Sequence, residues 1–469
     1  SQHGVALELK GEEVLPVVTN VLTTPAKVWD GDKEDVAMEQ GFASSELWSL
    51  VWHCVAVVLQ VGSDRAALEG EPPGAGHPMA EPDWNLLSPQ GTLLFLSLAL
   101  CIFTRESHQC LPQLTQSRGV LMVTLKRLLS PSFLECLDGD PEVVPAVVIQ
   151  ACQLLCFPFA LDVDRDTLAL IMEAMRDTQI PAQLLQVCSR HLPFSFTELP
   201  MSLLCHLVVS DTQVIDQVVR EAATSEHVIA FFKSALFSDN LTLTTDLLSL
   251  LTHVARACSE HLPFLQRILR GLDVADQPLT YLLGHQQYLI RAKTCNLLGN
   301  LLRHGFPAAL QSHPGWLESL LGCLSDAEGS VRKAASFAVG NAAGHASCPA
   351  GTLRKAVPAL ARLLSDLQAK TRCNAALALS NLGQRGAELG DLLIQSRAPH
   401  FLLQVACQDP WESVREGALV ALRVLSEHPG IQQVLDGGLL VLWGQGAVLV
   451  GDSCSSPGSA GAAVPRSPR

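Results

Sequence analysis

The chain has 469 residues, 48% of them hydrophobic and 17% charged, with a net charge of −14. At about 100–200 residues per domain, this length means two to four domains or one elongated array, and so apolar a composition excludes wholesale disorder. The negative charge argues against a nucleic-acid partner bound by neutralising phosphates.

Residues 1–100 carry 14 acidic and 4 basic side chains, so a local charge of −10 accounts for most of the total. Residues 1–83 therefore read as an acidic N-terminal region. Its first part, 1–43, is weakly patterned, and the run Asp30-Gly-Asp-Lys-Glu-Asp35 reads as a solvated loop. Residues 44–61 predict an apolar helix behind Ser44 or Ser45 as N-cap. Gly62–Asp83, with Pro72, Pro73, Pro78 and Pro82, predicts a linker. No signal peptide opens the chain, and a start at Ser1 without methionine points to a fragment or processed product with domains upstream.

The 15 cysteines are scattered, with no C-x-x-C, and Cys152 and Cys156 form the closest pair. That usage predicts buried free thiols in a cytosolic protein, without a disulfide frame or a zinc site. Two stretches approach the composition of a membrane span. Asn85–Thr104 is interrupted at Pro89-Gln90-Gly91, so its apolar part, Leu93–Phe103, falls short of the ~20 residues a span needs. Gly437–Gly451 is shorter and glycine-rich. Both read as buried helices, and no membrane span is expected.

From residue 84 to about 440 the chain consists of Leu-rich segments separated by short polar turns, without sustained alternation, which predicts an all-α fold. Residues 84–280 read as degenerate helical repeats, with faint units after Asp140-Pro141 and Ser238-Asp239; a general helical bundle is the alternative there. Residues 441–469, rich in Ser, Gly, Pro and Ala, predict a mostly disordered tail.

The region 281–440 carries a clear repeat. IRAKTCNLLGNLL from Ile290, VRKAASFAVGNAA from Val331, TRCNAALALSNLG from Thr371 and VREGALVALRVLS from Val414 align on Arg291, Arg332, Arg372 and Arg415, which lie 41, 40 and 43 residues apart. This is the period of armadillo and HEAT units. His285, Asp326, Asp366 and Asp409 stand six residues before each arginine as turn residues. Asp409, Pro410 and Glu412 predict an N-cap, a proline at the first helical position and a capping-box acid. Val331, Ala335, Ala338, Val339 and Ala342 share one helix face, as do Thr371, Ala375, Ala378, Leu379 and Leu382, and Val414, Ala418, Ala421, Leu422 and Leu425. A second apolar helix precedes each turn, as in WLESLLGCLSD from Trp316. One repeat is thus a helix hairpin that buries its apolar face only by stacking on its neighbours, an α-solenoid.

No phosphate-binding glycine loop, kinase, hydrolase or metalloprotease motif occurs in the 469 residues, so no catalytic, cofactor-binding or metal residue is assigned. His191 and His261 each open a His-Leu-Pro-Phe element and read as helix-end residues; Cys188 and His191 lack a second ligand pair. The candidate site is a partner-binding groove. Asn300, Asn341 and Asn381 each follow their arginine by nine residues, with Val424 in the fourth repeat. Either they line a concave groove for an extended peptide, as similar asparagines do in armadillo proteins, or they bond the neighbouring repeat. The residues four before them are Asn296, Phe337 and Leu377 and not the tryptophans of importins, which argues against importin-type recognition of basic peptides. Arg291, Lys293, Arg332, Lys333, Arg372 and Arg415 either form a positive stripe toward an acidic partner, including the chain's own N-terminal region, or pair between repeats.

LLGHQQYLIRAKTCNLLGNLLRHG (282–305) followed by SVRKAASFAVGNAA (330–343) resembles the C-terminal armadillo-like region of the vertebrate Fused-type serine/threonine kinases, as do PDWNLLSPQG (82–91), CNAALALSNLG (373–383) and the PGIQQV run from Pro429. The likeness covers roughly residues 80–440; the tail beyond departs from it. It implies a non-catalytic scaffold attached to a kinase domain, which alone would hold ATP and Mg. It implies roles in Hedgehog (Smoothened/Gli) signalling and in assembly of the central pair of motile cilia. The implied partners are Gli transcription factors, Suppressor of Fused and a kinesin. The implied location is cytoplasmic, cilium-associated and nuclear. The rival expectations are a stand-alone armadillo/HEAT adaptor and an enzyme with an active site among the helices of 84–280.

Overall fold

A computed structural model describes residues 107–436 except 138–141, 271–277, 305–314, 346–347, 349 and 386, together with scattered positions between 92 and 104. The predicted helix over 44–61, the acidic run, the linker and the tail lie outside the described residues. Among the described residues all regular structure is helical, with no strand, and the chain divides into two compact units at Pro278/Leu279.

The main helices of the first unit are α1 (Val120–Leu128), α2 (Pro131–Cys136), α3 (Val143–Ala160), α4 (Arg165–Asp177), α5 (Ile180–Gln186), α6 (Glu198–Ser210), α7 (Thr212–Thr224), α8 (Glu226–Leu236), α9 (Leu241–Ala257) and α10 (Leu262–Leu269). Caps start several of them. Asp164 accepts the amides of Asp166 and Thr167, and Asn240 accepts that of Leu243 at 3.0 Å, satisfying donors that have no intrahelical partner. The helix predicted after Ser238-Asp239 is α9, with Asn240 as its cap.

Helix α6 packs against both α3 and α9. By length and composition α3 is apolar enough to cross a bilayer, a candidate missed in the sequence, yet 10 of its 18 residues are buried against neighbouring helices. Side chains bridge elements about one repeat apart in sequence: Arg176 to Asp211 at 2.8 Å, Asn240 to Glu198 at 2.7 Å and Arg267 to Glu226 at 2.6 Å. The two His-Leu-Pro-Phe elements converge. Phe194 and Phe264 join Phe231 and Phe232 in one aromatic chain with centroids 5.9–6.1 Å apart, in which Phe231, Phe232 and Phe264 are buried and Phe194 stays exposed. Among the described residues no cluster of three or more His, Cys, Asp or Glu is placed to hold a metal. Cys152, Cys188, Cys295 and Cys373 are buried free thiols, and burial pushes those of Cys156 and Cys348 up to about 11.

The second unit contains α11 (Pro278–Leu283), α12 (Tyr288–Arg303), α13 (Gly315–Gly322), α14 (Gly329–Ala343), α15 (Val357–Leu363), α16 (Ala369–Gly383), α17 (Ala387–Gln395), α18 (Ala398–Gln408) and α19 (Glu412–Leu425). The four helices that carry the aligned segments stack in order, α12 on α14, α14 on α16 and α16 on α19. Small residues permit this. Ala335, Ala338, Ala375, Ala378, Ala418 and Ala421 are fully buried. A Cβ at Gly340 would lie 3.4 Å from that of Ala378, an ordinary contact, whereas one at Gly299 would run into the Phe337 ring.

At the turn edge the stack is tied by a chain of ion pairs. Arg291 Nε and Nη2 bond the Asp326 carboxylate at 2.7 and 2.9 Å, Arg372 bonds Asp409 bidentately in the same way, and Arg332 Nε reaches Asp366 at 2.7 Å. Each arginine also donates Nη1 to the carbonyl six residues before it: Arg291 to His285, Arg332 to Asp326, Arg372 to Asp366 and Arg415 to Asp409. The helical Cβ tilts toward the N-terminus, so a long side chain in the first turn reaches back over the turn it follows. Each aspartate accepts the amide two residues on, as Asp409 does from Trp411 at 3.0 Å. This corrects the capping-box expectation. Asp409 makes an Asx turn and Pro410 lies outside the helix, which starts at Glu412 behind Trp411. The Arg372 hydrogen bonds outweigh burial and hold the Asp409 carboxyl below the usual range. At Asp326 burial pushes upward, but Arg291 and the Glu328 amide together prevail and lower it.

Two outcomes are expected. Ala378→Leu should overpack α14 against α16 and cost about 1–3 kcal/mol by urea denaturation; a wild-type midpoint would refute the assigned register. Asp409→Asn keeps the Asx turn but removes the charge facing Arg372, and should cost about 1–3 kcal/mol. A carboxyl lowered in the fold contributes fully above the unfolded value of about 4, and that contribution fades as pH falls through the folded value. Wild-type stability should therefore drop below about pH 4, and less steeply in the Asp409→Asn protein.

Candidate functional site

The candidate residues separate into two sets. Arg291, Arg332 and Arg372 form the turn-edge ion pairs and keep only 12–20% of their side-chain surface exposed, while Arg415 bonds the carbonyls of Asp409 and Pro410. The asparagines lie farther along the same helices. Asn341 Nδ2 donates to Gly299 O at 2.7 Å and Asn381 Nδ2 to Gly340 O at 2.8 Å, so each bonds the preceding repeat. Asn300 Nδ2 instead turns back to Asn296 O on its own helix at 2.8 Å.

Asn341 and Asn381 also line a groove of about 480 Å³ across α12, α14 and α16. Its other walls come from Asn296, Lys333, Ser336, Phe337, Gly340, Lys370, Asn374 and Leu377. The two readings of the asparagines are thus compatible: one amide atom holds the neighbouring helix while the residue still faces the groove. Helical periodicity explains the lining. Lys370, Asn374, Leu377 and Asn381 follow one another at i, i+4, i+7 and i+11, and Lys333, Phe337, Gly340 and Asn341 share a face in the same manner.

Lys370 and Asn374 were missed in the sequence, because the four-way alignment shows neither lysine nor asparagine recurring at those positions. Their spacing from Asn381 carried the signal. Asn374 is buried, and its Nδ2 donates to Lys333 O at 3.1 Å, another bond to the preceding repeat. Lys333 and Lys370 are exposed, and no carboxylate lines this groove. Phe337 and Leu377 supply apolar surface between the asparagines, at the positions where importin-like repeats carry tryptophan. The groove thus sets amide, ammonium and apolar side chains beside one another across three stacked helices.

No protein-family model matches the chain. Serine/threonine-protein kinase 36 of Pongo abelii is 44% identical over 461 residues, and that of Mus musculus 41% over 462. In both cases 92% of this chain aligns, and it spans 35% of the length of the relative. Among solved structures, an engineered protein covers 76% of the chain at a TM-score of 0.52 and 16% identity, a likeness of fold. A designed armadillo repeat protein covers 52% at a TM-score of 0.45 and 19% identity. Over nearly its whole length the chain is thus similar to about a third of these serine/threonine-protein kinases, in agreement with its resemblance to the C-terminal region of the Fused type.

Proposed function

We propose that this chain is a non-catalytic protein-interaction scaffold serving a Fused-type serine/threonine kinase, positioning the kinase and recruiting its partners. The identity of 44% over 92% of the chain carries the reading, and the groove across α12, α14 and α16 supports it as a place where a polypeptide can dock. ATP and Mg belong to the kinase domain and not to these residues. By the same likeness, the partners are Gli transcription factors, Suppressor of Fused and a kinesin. The processes are Hedgehog (Smoothened/Gli) signalling and assembly of the central pair of motile cilia. The location is cytoplasmic, with cilium-associated and nuclear pools.

A stacked helical array suits this role. Each repeat in such an array contacts only its neighbours, so partner contacts can spread along successive repeats. Co-immunoprecipitation of the tagged chain with each partner expressed beside it tests the assignment. At least one should be retained by the wild type and lost from the destabilised Ala378→Leu variant, and retention of none would sink the partner set. An ATP-analogue probe should leave the purified chain unlabelled; specific labelling would overturn the non-catalytic reading.

A further inference from the structure

The groove across α12, α14 and α16 has a chemical character of its own. In each of Asn341, Asn374 and Asn381 the Nδ2 donor is spent on a carbonyl of the preceding repeat. Among the described residues no hydrogen bond occupies their Oδ1 atoms, so the groove offers acceptors from its asparagines. An extended polypeptide presents backbone N–H donors at regular intervals, the complement of a row of amide oxygens. Stacked helices 8–10 Å apart match about three residues of extended chain per repeat.

Charge then selects among peptides. Lys333 and Lys370 line the groove from adjacent helices, both exposed, neither in an ion pair among the described residues. Arg291, Arg332 and Arg372, which might have shared this role, are held in the turn-edge pairs. In the fourth repeat the position of Lys333 is taken by Glu416, which is exposed, so the positive section belongs to the second and third repeats. Phe337 and Leu377 add an apolar floor on which alternate side chains of a strand-like peptide can lie.

We infer that this groove binds an extended acidic peptide of a partner protein, its backbone amides donating to Asn341, Asn374 and Asn381 and its carboxylates paired with Lys333 and Lys370. The inference rests on the scaffold reading above and names the chemistry of one docking segment. A carboxylate facing either ammonium gains from charge-assisted bonding, and a basic peptide would meet two unpaired cations.

Fluorescence anisotropy on the full chain tests it with two labelled decapeptides, one alternating Glu and Val and the other Lys and Val. Saturable binding of the Glu peptide is expected, at least tenfold tighter than the Lys peptide and weakening as salt rises. Lys333→Glu with Lys370→Glu, both at exposed positions, should weaken the Glu peptide at least tenfold while leaving the urea midpoint unchanged. Preference for the Lys peptide, or unchanged binding in that double variant, would overturn the inference. A third protein carries Asp30→Asn, Asp32→Asn, Glu34→Gln and Asp35→Asn. If the Glu peptide binds only to it, the occupant is the chain's own acidic run and the partner assignment fails. Loss of peptide binding with co-immunoprecipitation intact would remove the groove assignment and leave the scaffold reading standing.

Discussion

A hairpin of two helices with a Leu- and Ala-rich face cannot bury that face alone, and everything else in the second unit follows from how its neighbours close over it. Leucine burial supplies the free energy, on the order of 1.5–3 kcal/mol for each fully buried side chain. Small residues decide how near the helices come. Ala338 and Ala378 are fully buried where α14 meets α16, and Gly340 faces Ala378 with no room to spare beyond ordinary contact. At Gly299 the Phe337 ring fills the space a methyl group would need, so this glycine is required by close approach and not by backbone conformation. The same approach brings the carbonyls of Gly299 and Gly340 within reach of Asn341 and Asn381, and so creates the floor of the groove.

The turn-edge ion pairs add register to this packing. An apolar face tolerates sliding, but a guanidinium that bonds its own turn and the next aspartate tolerates little. Exposed ion pairs are worth little on their own. Here the carboxylates of Asp366 and Asp409 are nearly enclosed, with 3–4% of their side-chain surface exposed, and each is also fixed by a backbone amide. The pairs therefore resist exchange with water and hold the repeats at a set offset. Their second consequence is electrostatic: with Arg291, Arg332 and Arg372 engaged, the positive charge lining the groove is that of Lys333 and Lys370.

The first unit reaches a similar end with less regular means. Its cross-element bonds vary in chemistry from Arg–Asp to Asn–Glu, and an aromatic chain draws one ring from each His-Leu-Pro-Phe element. Without one recurring residue per repeat, these helices resist alignment in the sequence even though they pair across comparable separations. The helix Val143–Ala160 shows the same limit. Its composition alone meets the criterion for a membrane span, and only the helices packed around it show where its apolar side chains go.

Periodicity is local, and it was therefore legible: the all-α class, the period of 40–43 residues, the inner-helix faces and the turn position of each aspartate follow from spacing along one chain. The likeness to the Fused-type region was legible for the same reason, since contiguous segments such as 282–305 carry it. What lay beyond reach depends on groups brought together from different repeats. Spacing could not say whether Asn341 faces a ligand or the carbonyl of Gly299, because both lie on the same side of its helix. Nor could it say that Arg332 would turn to Asp366 while Lys333, its neighbour in sequence, would face the groove. Adjacent helical residues point about 100° apart, and only the packed neighbour decides which direction is a salt bridge and which is open surface.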